Sequence, residues 1–423
     1  MSRSKVASNT HSDVIIIGAG AAGMMCAARA AAAGLSVQLL DHAQKLGEKI
    51  RISGGGRCNF TNLGASWENY VSQNPRFARY ALTYYRPSDF LALLERYQIP
   101  WHEKHKGQLF CDHSAQDIID LLKNECDVAG VRWRMPCAVE GVERMASAGA
   151  APMYRLQTTA GVLSAEKLVV ATGGMAIPLL GATDFGLSLA RQFGLKVVEP
   201  RPALVPLLFQ AEQWQRFSEL SGISLEVLIA NGQGKKAQRF VEDVLFTHRG
   251  LSGPGVLQIS SYWDGQSPIY LNLNHQSNTE DWLLEEKRRS KQQLLTLLST
   301  IWPKRLAQLW PQQLGFKTDI RLAEVADKRL RELAYAIENW SLKPSATAGY
   351  KKAEAMRGGV STEALNQKTM EAKAVAGLYF IGEVVDITGW LGGYNFQWAW
   401  SSAVVCADAM AATLSMVSGL AHA

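Results

Sequence analysis

The chain has 423 residues, of which 47% are hydrophobic and 19% charged, enough apolar material for two or three cores and too much for a disordered chain. Its 44 basic and 38 acidic residues leave a formal charge of +6, which permits an anionic partner without naming one. No apolar run approaches the roughly 20 residues of a membrane span, and the leader MSRSKVASNTHSD carries no signal-peptide core. The six cysteines form no CxxC pair and no regular framework. A soluble cytoplasmic protein without a metal site or a membrane partner is expected.

In chain order, Asp13 to Ile17 reads as a β-branched strand that stops at Gly18 and yields to a small-residue helix, Ala19 to Ala33. A second strand, Ser36 to Leu40, ends in Asp41 and completes a βαβ unit. A third, Lys167 to Ala171, runs into Thr172-Gly173-Gly174, and a fourth, Gly377 to Ile381, runs into Gly382-Glu383. Strands of one parallel sheet at both ends of the chain imply an α/β, Rossmann-like nucleotide-binding domain over 1–199 and 346–423, interrupted by an insertion. Within the insertion, 200–277 alternates short β-rich pieces with Gly and Pro turns, whereas 278–345 carries Leu and Trp at helical spacing.

Gly18, Gly20 and Gly23 in GAGAAG fit G-x-G-x-x-G between strand and helix. Glycines there permit a tight turn and close backbone approach to a pyrophosphate, while the amides of Ala21 and Ala22 open a helix whose dipole favours an anion. Asp41, 18 residues beyond Gly23, suits a ribose hydroxyl and disfavours a 2′-phosphate. The Thr172-Gly173 and Gly382-Glu383…Asp386 strand ends resemble the second and third sequence blocks of two-dinucleotide-type flavoproteins. A single G-x-G-x-x-G then points to tightly held FAD, with NAD(P)H as a visiting reductant.

Lys49-Ile-Arg-Ile-Ser-Gly-Gly55-Gly-Arg57-Cys58-Asn59 places three glycines among polar side chains, a backbone able to lie against a flat ring. A plain surface loop is the alternative, and packing is an equal reading of Cys58. Near the C-terminus, Gly393-Tyr394-Asn395-Phe396 opens a helix that could aim N–H donors at a flavin carbonyl, although its aromatic neighbours also fit an ordinary core.

GAGAAG, SGGGRCNFTN, GQLFCD (107–112), LFTHRGLSGP (245–254) and GLYFIGEVVDITGWLGGYNFQWAW (377–400) together resemble the BaiN/RdsA-type bacterial flavoproteins, over nearly the whole chain. The resemblance implies an FAD-binding domain interrupted by a β-barrel-like and a small helical domain. It also implies FAD contacts at Ala21, Asp41, Val139, Glu383, Asn395 and Phe396. Relatives commonly show Gly-Arg-Lys where this chain has Gly47-Glu48-Lys49, so one basic contact differs.

The same resemblance implies a reductase that sends hydride from NAD(P)H through flavin N5 to a conjugated C=C, with uridine of 23S ribosomal RNA as the expected acceptor. A small enone is the alternative substrate, and a noncatalytic flavin-containing RNA-binding protein is the alternative of another class. The proton donor must be protonated near neutrality, which suits Cys111 first and His248 second; a structural thiol and a loop-bridging histidine are the plain readings. Residues 278–335 carry eleven Lys and Arg against eight Asp and Glu, a mixture that fits solvated helix faces as well as RNA contact.

Overall fold

The computed structural model describes residues 10–145, 153–317 and 319–420, with side chains as far as 413. The start of the leader read above, residues 1–9, lies outside them. The chain divides into two compact units, Met1–Arg201 with Ala355–Ala423, and Pro202–Glu354.

In the first unit, β1 (His11–Ile17), α1 (Ala21–Ala32) and β2 (Val37–Leu40) form the βαβ element. Further strands are β3 (Asn59–Asn62), β4 (Trp101–Glu103), β5 (Gln108–Cys111), β6 (Gly161–Val170) and β7 (Leu378–Phe380). β1 pairs in parallel with β2 and β6, and β6 pairs in parallel with β7. Val14, Ile15, Ile16, Val169 and Val170 are fully buried, as central parallel strands covered on both faces require. Strand Arg132–Arg134 extends the sheet in parallel beyond β2, while Met153–Thr158 and Val139–Met145 add an antiparallel edge beside β6. Because β1, β2, β6 and β7 share one direction, the residues after them, Gly18, Asp41, Thr172 and Gly382, lie along one carboxyl edge, where open α/β sheets bind ligands.

Helix α2 (Tyr394–Leu420) packs on α1, four of whose eight buried residues are Ala, beside Gly23, Met24, Met25 and Cys26. Small side chains let the helix axes approach closely. Arg29 closes the contact by donating Nε and Nη2 to the two Asp408 oxygens at 2.7 and 3.0 Å, and the Tyr84 hydroxyl donates to Asp408 Oδ2 at 2.9 Å. No helix of the described residues is long and apolar enough to cross a membrane.

A separate three-stranded antiparallel sheet, in order β3-β5-β4, joins SGGGRCNFTN to GQLFCD. No alternation marks these strands in the sequence. Trp400 of α2 ties this sheet to the helix: its Nε1 donates to the Phe60 carbonyl at 2.9 Å, and its ring stacks on Phe90 at 4.7 Å.

The second unit is built on seven antiparallel strands in the order 340–342, 269–272, 224–230, 239–247, 250–252, 207–208 and 346–347. The helices between Thr279 and Glu338 leave this sheet and return into it through Trp340–Leu342 and Ala346–Thr347. The β-rich and helical stretches, expected as successive pieces divided at 277 and ending at 345, thus share one compact unit that runs to Glu354. Strands of three and two residues beside long helices leave no periodic signal. Trp310 joins the two parts, edge-on to Trp302 at 5.7 Å and to Trp340 at 6.1 Å.

Trp400→Phe would leave the buried Phe60 carbonyl without its donor and a void beside Phe90. A loss of about 2 kcal/mol is expected, seen as a lower denaturation midpoint for the first unit.

Candidate active site

The glycines of the first turn are dictated by contact. A Cβ on Gly23 would stand 1.8 Å from the Gly18 carbonyl oxygen, and one on Gly18, at φ +108°, would stand 2.4 Å from the Ala171 oxygen. At Gly20 the same addition would meet nothing within 4 Å. Two glycines therefore hold helix against strand, and the third faces open space at the N-terminus of α1, which no side chain caps. This matches the cradle a pyrophosphate needs.

Asp41 closes one side of the cradle. Its Oδ2 accepts from the Ala19 N–H at 2.7 Å and its Oδ1 from the Ala43 N–H at 2.8 Å. Asp41 carries these bonds in addition to any bond it makes to a ribose. The segment leading to Val139 runs alongside, since Asp41 N–H donates to the Arg134 carbonyl and Cys137 N–H to the Asp41 carbonyl. Val139 is half-buried at the start of its strand, so an adenosine beside Asp41 would also meet this segment.

On the other side, Glu383 gathers three segments. It accepts from Lys49 Nζ at 2.6 Å, from the Gly174 N–H at 3.3 Å and from the Met356 N–H at 2.9 Å. Lys49, the retained base of the altered Gly-Glu-Lys stretch, is thus committed to a carboxylate. Gly382 stands where a Cβ would meet the Ala22 methyl at 2.9 Å, which brings the last strand end onto the first turn of α1. Thr172 buries its hydroxyl against Gly186, with no partner for it among the described residues. Contact of Thr172 and Gly173 with a ligand would therefore use the backbone.

The two remaining motifs meet at the three-stranded sheet. A Cβ on Gly393, at φ +94°, would lie 2.2 Å from the Thr61 oxygen and 2.8 Å from the Asn59 side chain. Asn62 Nδ2 donates to the Gly392 carbonyl at 3.0 Å. Asn395 returns both side-chain groups to Gly389, at 2.8 and 3.0 Å, so it clamps the loop and offers a ligand only its backbone. Phe396 stacks on Trp400 at 5.7 Å. On the other motif, Gly54 presses against the Phe110 ring, while Gly55 faces open space and Arg57 is exposed.

Three expected site residues are sealed. Cys58 and Cys111 are 0% exposed and Asp386 is 2% exposed. Burial pushes the Cys58 thiol up to about 12 and raises Cys111 further. Burial also raises the Asp386 carboxyl, against the lowering effect of the Gln73 N–H at 3.0 Å and the Ser72 hydroxyl at 3.3 Å. Sealed in this way, Cys111 has no surface to offer a substrate. His248 belongs to the second unit, where it is exposed in the turn between Arg239–Thr247 and Gly250–Ser252. The sequence reading named Lys49 and Glu383 as FAD contacts but not their bond to each other, and it did not find a hydrogen-bonded pair, His102 with Asp112. The Glu383–Lys49 bond depends on register between segments far apart in the chain, whereas His102 and Asp112 stand ten positions apart in the β4–β5 hairpin.

Four of the eleven cations in the basic helical stretch hold carboxylates. Lys287 pairs with Asp327, Arg289 with Glu285, Arg329 with Glu332 and Arg331 with Glu280, at 2.5 to 3.0 Å.

Two variants test the site. Gly23→Ala should yield protein that retains less than about a tenth of the wild-type flavin after gel filtration, since its methyl group would overlap the Gly18 oxygen. Glu383→Ala should weaken FAD affinity about tenfold or more by releasing Lys49 and two backbone amides. Flavin fluorescence titration of the apoprotein reads both.

Comparison with known proteins follows the same outline. The chain is 46% identical over 398 residues to a ribosomal RNA dihydrouridine synthase of Haemophilus influenzae, covering 94% of this chain and 98% of that one. It is 27% identical over 419 residues to a 3-dehydro-bile acid delta(4,6)-reductase of Clostridium scindens, covering 94% and 98%. A flavocytochrome c3 fumarate reductase matches with a TM-score of 0.46 at 16% identity, over 96% of this chain and 79% of that one. The family model for the HI0933-like protein Rossmann domain matches residues 12–409, and the chain belongs to that family.

Proposed function

We propose that the protein is an FAD-dependent reductase that converts uridine to dihydrouridine in 23S ribosomal RNA, with NAD(P)H as its reductant in the cytoplasm. The observation that carries this reading is the near-full-length, 46% identity to a ribosomal RNA dihydrouridine synthase. The residues present fit the cofactor: an uncapped helix N-terminus beside open space at Gly20 suits the pyrophosphate, and Asp41 suits a ribose hydroxyl.

When bound, FAD would supply hydride to one carbon of a conjugated C=C. The protein's part is to hold and orient. Gly18 to Gly23 and the first amides of α1 would hold the phosphates, with the Thr172-Gly173 backbone as a further contact. Glu383, neutralised in part by Lys49, fixes the strand ends against each other. The amides at the start of α2 would offer a positive helix end to the charge of a reduced flavin.

A second reading, a small conjugated ketone as acceptor, is favoured by the bile-acid reductase relative at 27% identity. Nucleoside mass spectrometry of ribosomal RNA from cells with and without the gene separates the two. Loss of one dihydrouridine on deletion, restored by the wild-type gene, supports the RNA reading; an unchanged profile sinks it. Cys111→Ala, assayed on the same RNA, is expected to keep product formation within about threefold of wild type, because a sealed thiol contributes packing. A loss of a hundredfold or more with FAD retained would return Cys111 to the chemistry.

A further inference from the structure

β4 and β5 place a histidine–carboxylate pair beside the triple-glycine loop. Register pairs Trp101 with Cys111 and His102 with Phe110, and Asp112 follows directly, its N–H donating to the Pro100 carbonyl at 3.1 Å. The two side chains meet there: His102 Nδ1 lies 2.6 Å from Asp112 Oδ1, with the side chains 42% and 38% exposed. The imidazole lies nearly parallel to the Phe110 ring, 15° apart at 6.1 Å. The same ring touches the loop, since a Cβ on Gly54 would stand 2.9 Å from Phe110 Cε1. Asn59, next to Gly393, pairs with Phe110 from β3 to β5. His102 is therefore one aromatic ring away from the point where the two glycine motifs converge, and unlike Cys111 it is open to solvent.

A carboxylate on Nδ1 fixes the ring orientation and leaves Nε2 as the nitrogen that can exchange a proton. We propose that His102, oriented by Asp112, donates the proton that completes reduction of the C=C; this rests on the reductase reading above. The balance is simple. One carbon of the acceptor gains hydride, two electrons and a hydrogen nucleus, drawn ultimately from a nicotinamide. The adjacent carbon, left with the electron pair of the former π bond, takes a proton from Nε2–H. The imidazolium becomes neutral imidazole with Asp112 still ionised beside Nδ1–H, and water returns the proton. His102 is the catalytic residue in this scheme and Asp112 a positioning residue.

The experiment compares wild type, His102→Gln, His102→Asn and Asp112→Asn as FAD-loaded proteins on unmodified 23S ribosomal RNA. FAD content, RNA affinity by filter binding and anaerobic flavin reduction by NAD(P)H should stay within about twofold in every variant. Dihydrouridine formation should fall about 10²-fold or more in both His102 variants, in kcat and not in KM, and about tenfold in Asp112→Asn. External imidazole should restore part of the rate to His102→Gly. Product formation by His102→Gln within twofold of wild type overturns the proposal, as does a loss that tracks FAD content or RNA affinity. If the wild type leaves RNA unreduced but turns over an enone, the substrate reading falls by itself. The same His102 comparison on the enone then decides the proposal.

Discussion

One carboxylate holds the carboxyl edge of the sheet together. Glu383 takes a lysine ammonium and two backbone amides from three segments more than a hundred residues apart in the chain, and each bond is charge-assisted. Without it, the Gly174 turn, the Met356 strand and the helix carrying Lys49 would meet only through packing. A cofactor lying along that edge needs all three fixed at once. Glu383 is half-buried, so its bonds are shielded from water enough to matter, yet its charge is not stranded in the interior.

The second constraint is steric and belongs to α2. Trp398 Nε1 donates to the Gly382 carbonyl and Trp400 Nε1 to the Phe60 carbonyl, each at 2.9 Å. Both indoles are sealed. The helix thus grips the last strand end and the three-stranded sheet through polar handles on large apolar rings. That resolves the aromatic cluster of the C-terminal motif in favour of core packing at Trp398 and Trp400, while Phe396 remains half-buried at the helix opening. The glycines preceding it allow the close approach that lets those indoles seat.

What was legible in the sequence was local. The βαβ element follows from β-branched residues, a glycine turn and an alanine-rich helix, all within 30 consecutive positions, and the structure moves its boundaries by no more than two residues. Illegible were features fixed by pairing at a distance. β3, β4 and β5 have three or four residues each, too few for a period, and β3 meets β5 across more than forty intervening positions. The His102–Asp112 pair comes from the neighbouring β4–β5 hairpin, whose strands are too short for a period to announce their register. The helical stretch of the second unit is helical as its spacing implies, but its return to the sheet uses a three-residue strand that leaves no signal. Burial was the other blind spot: Cys58, Cys111 and Asp386 have the right chemistry for a site, and their exposure is set by neighbours from other motifs.

Charge bears on the RNA reading differently from what a count suggests. Four of the eleven cations in the helical stretch already hold carboxylates, mostly as exposed pairs. Such pairs are worth about 0–1 kcal/mol, so an incoming phosphate can compete for the cation. Exchange of that kind leaves a carboxylate unpaired near a phosphate, and the net gain is smaller than the number of lysines and arginines implies. The long-range attraction follows the net excess of three in this stretch, not the eleven. A surface of this kind steers an RNA weakly and releases few counterions. Selection of one uridine would then rest on the shape and stacking of the displaced base at the flavin edge, which is a demand on the geometry of the first unit and not on the charge of the second.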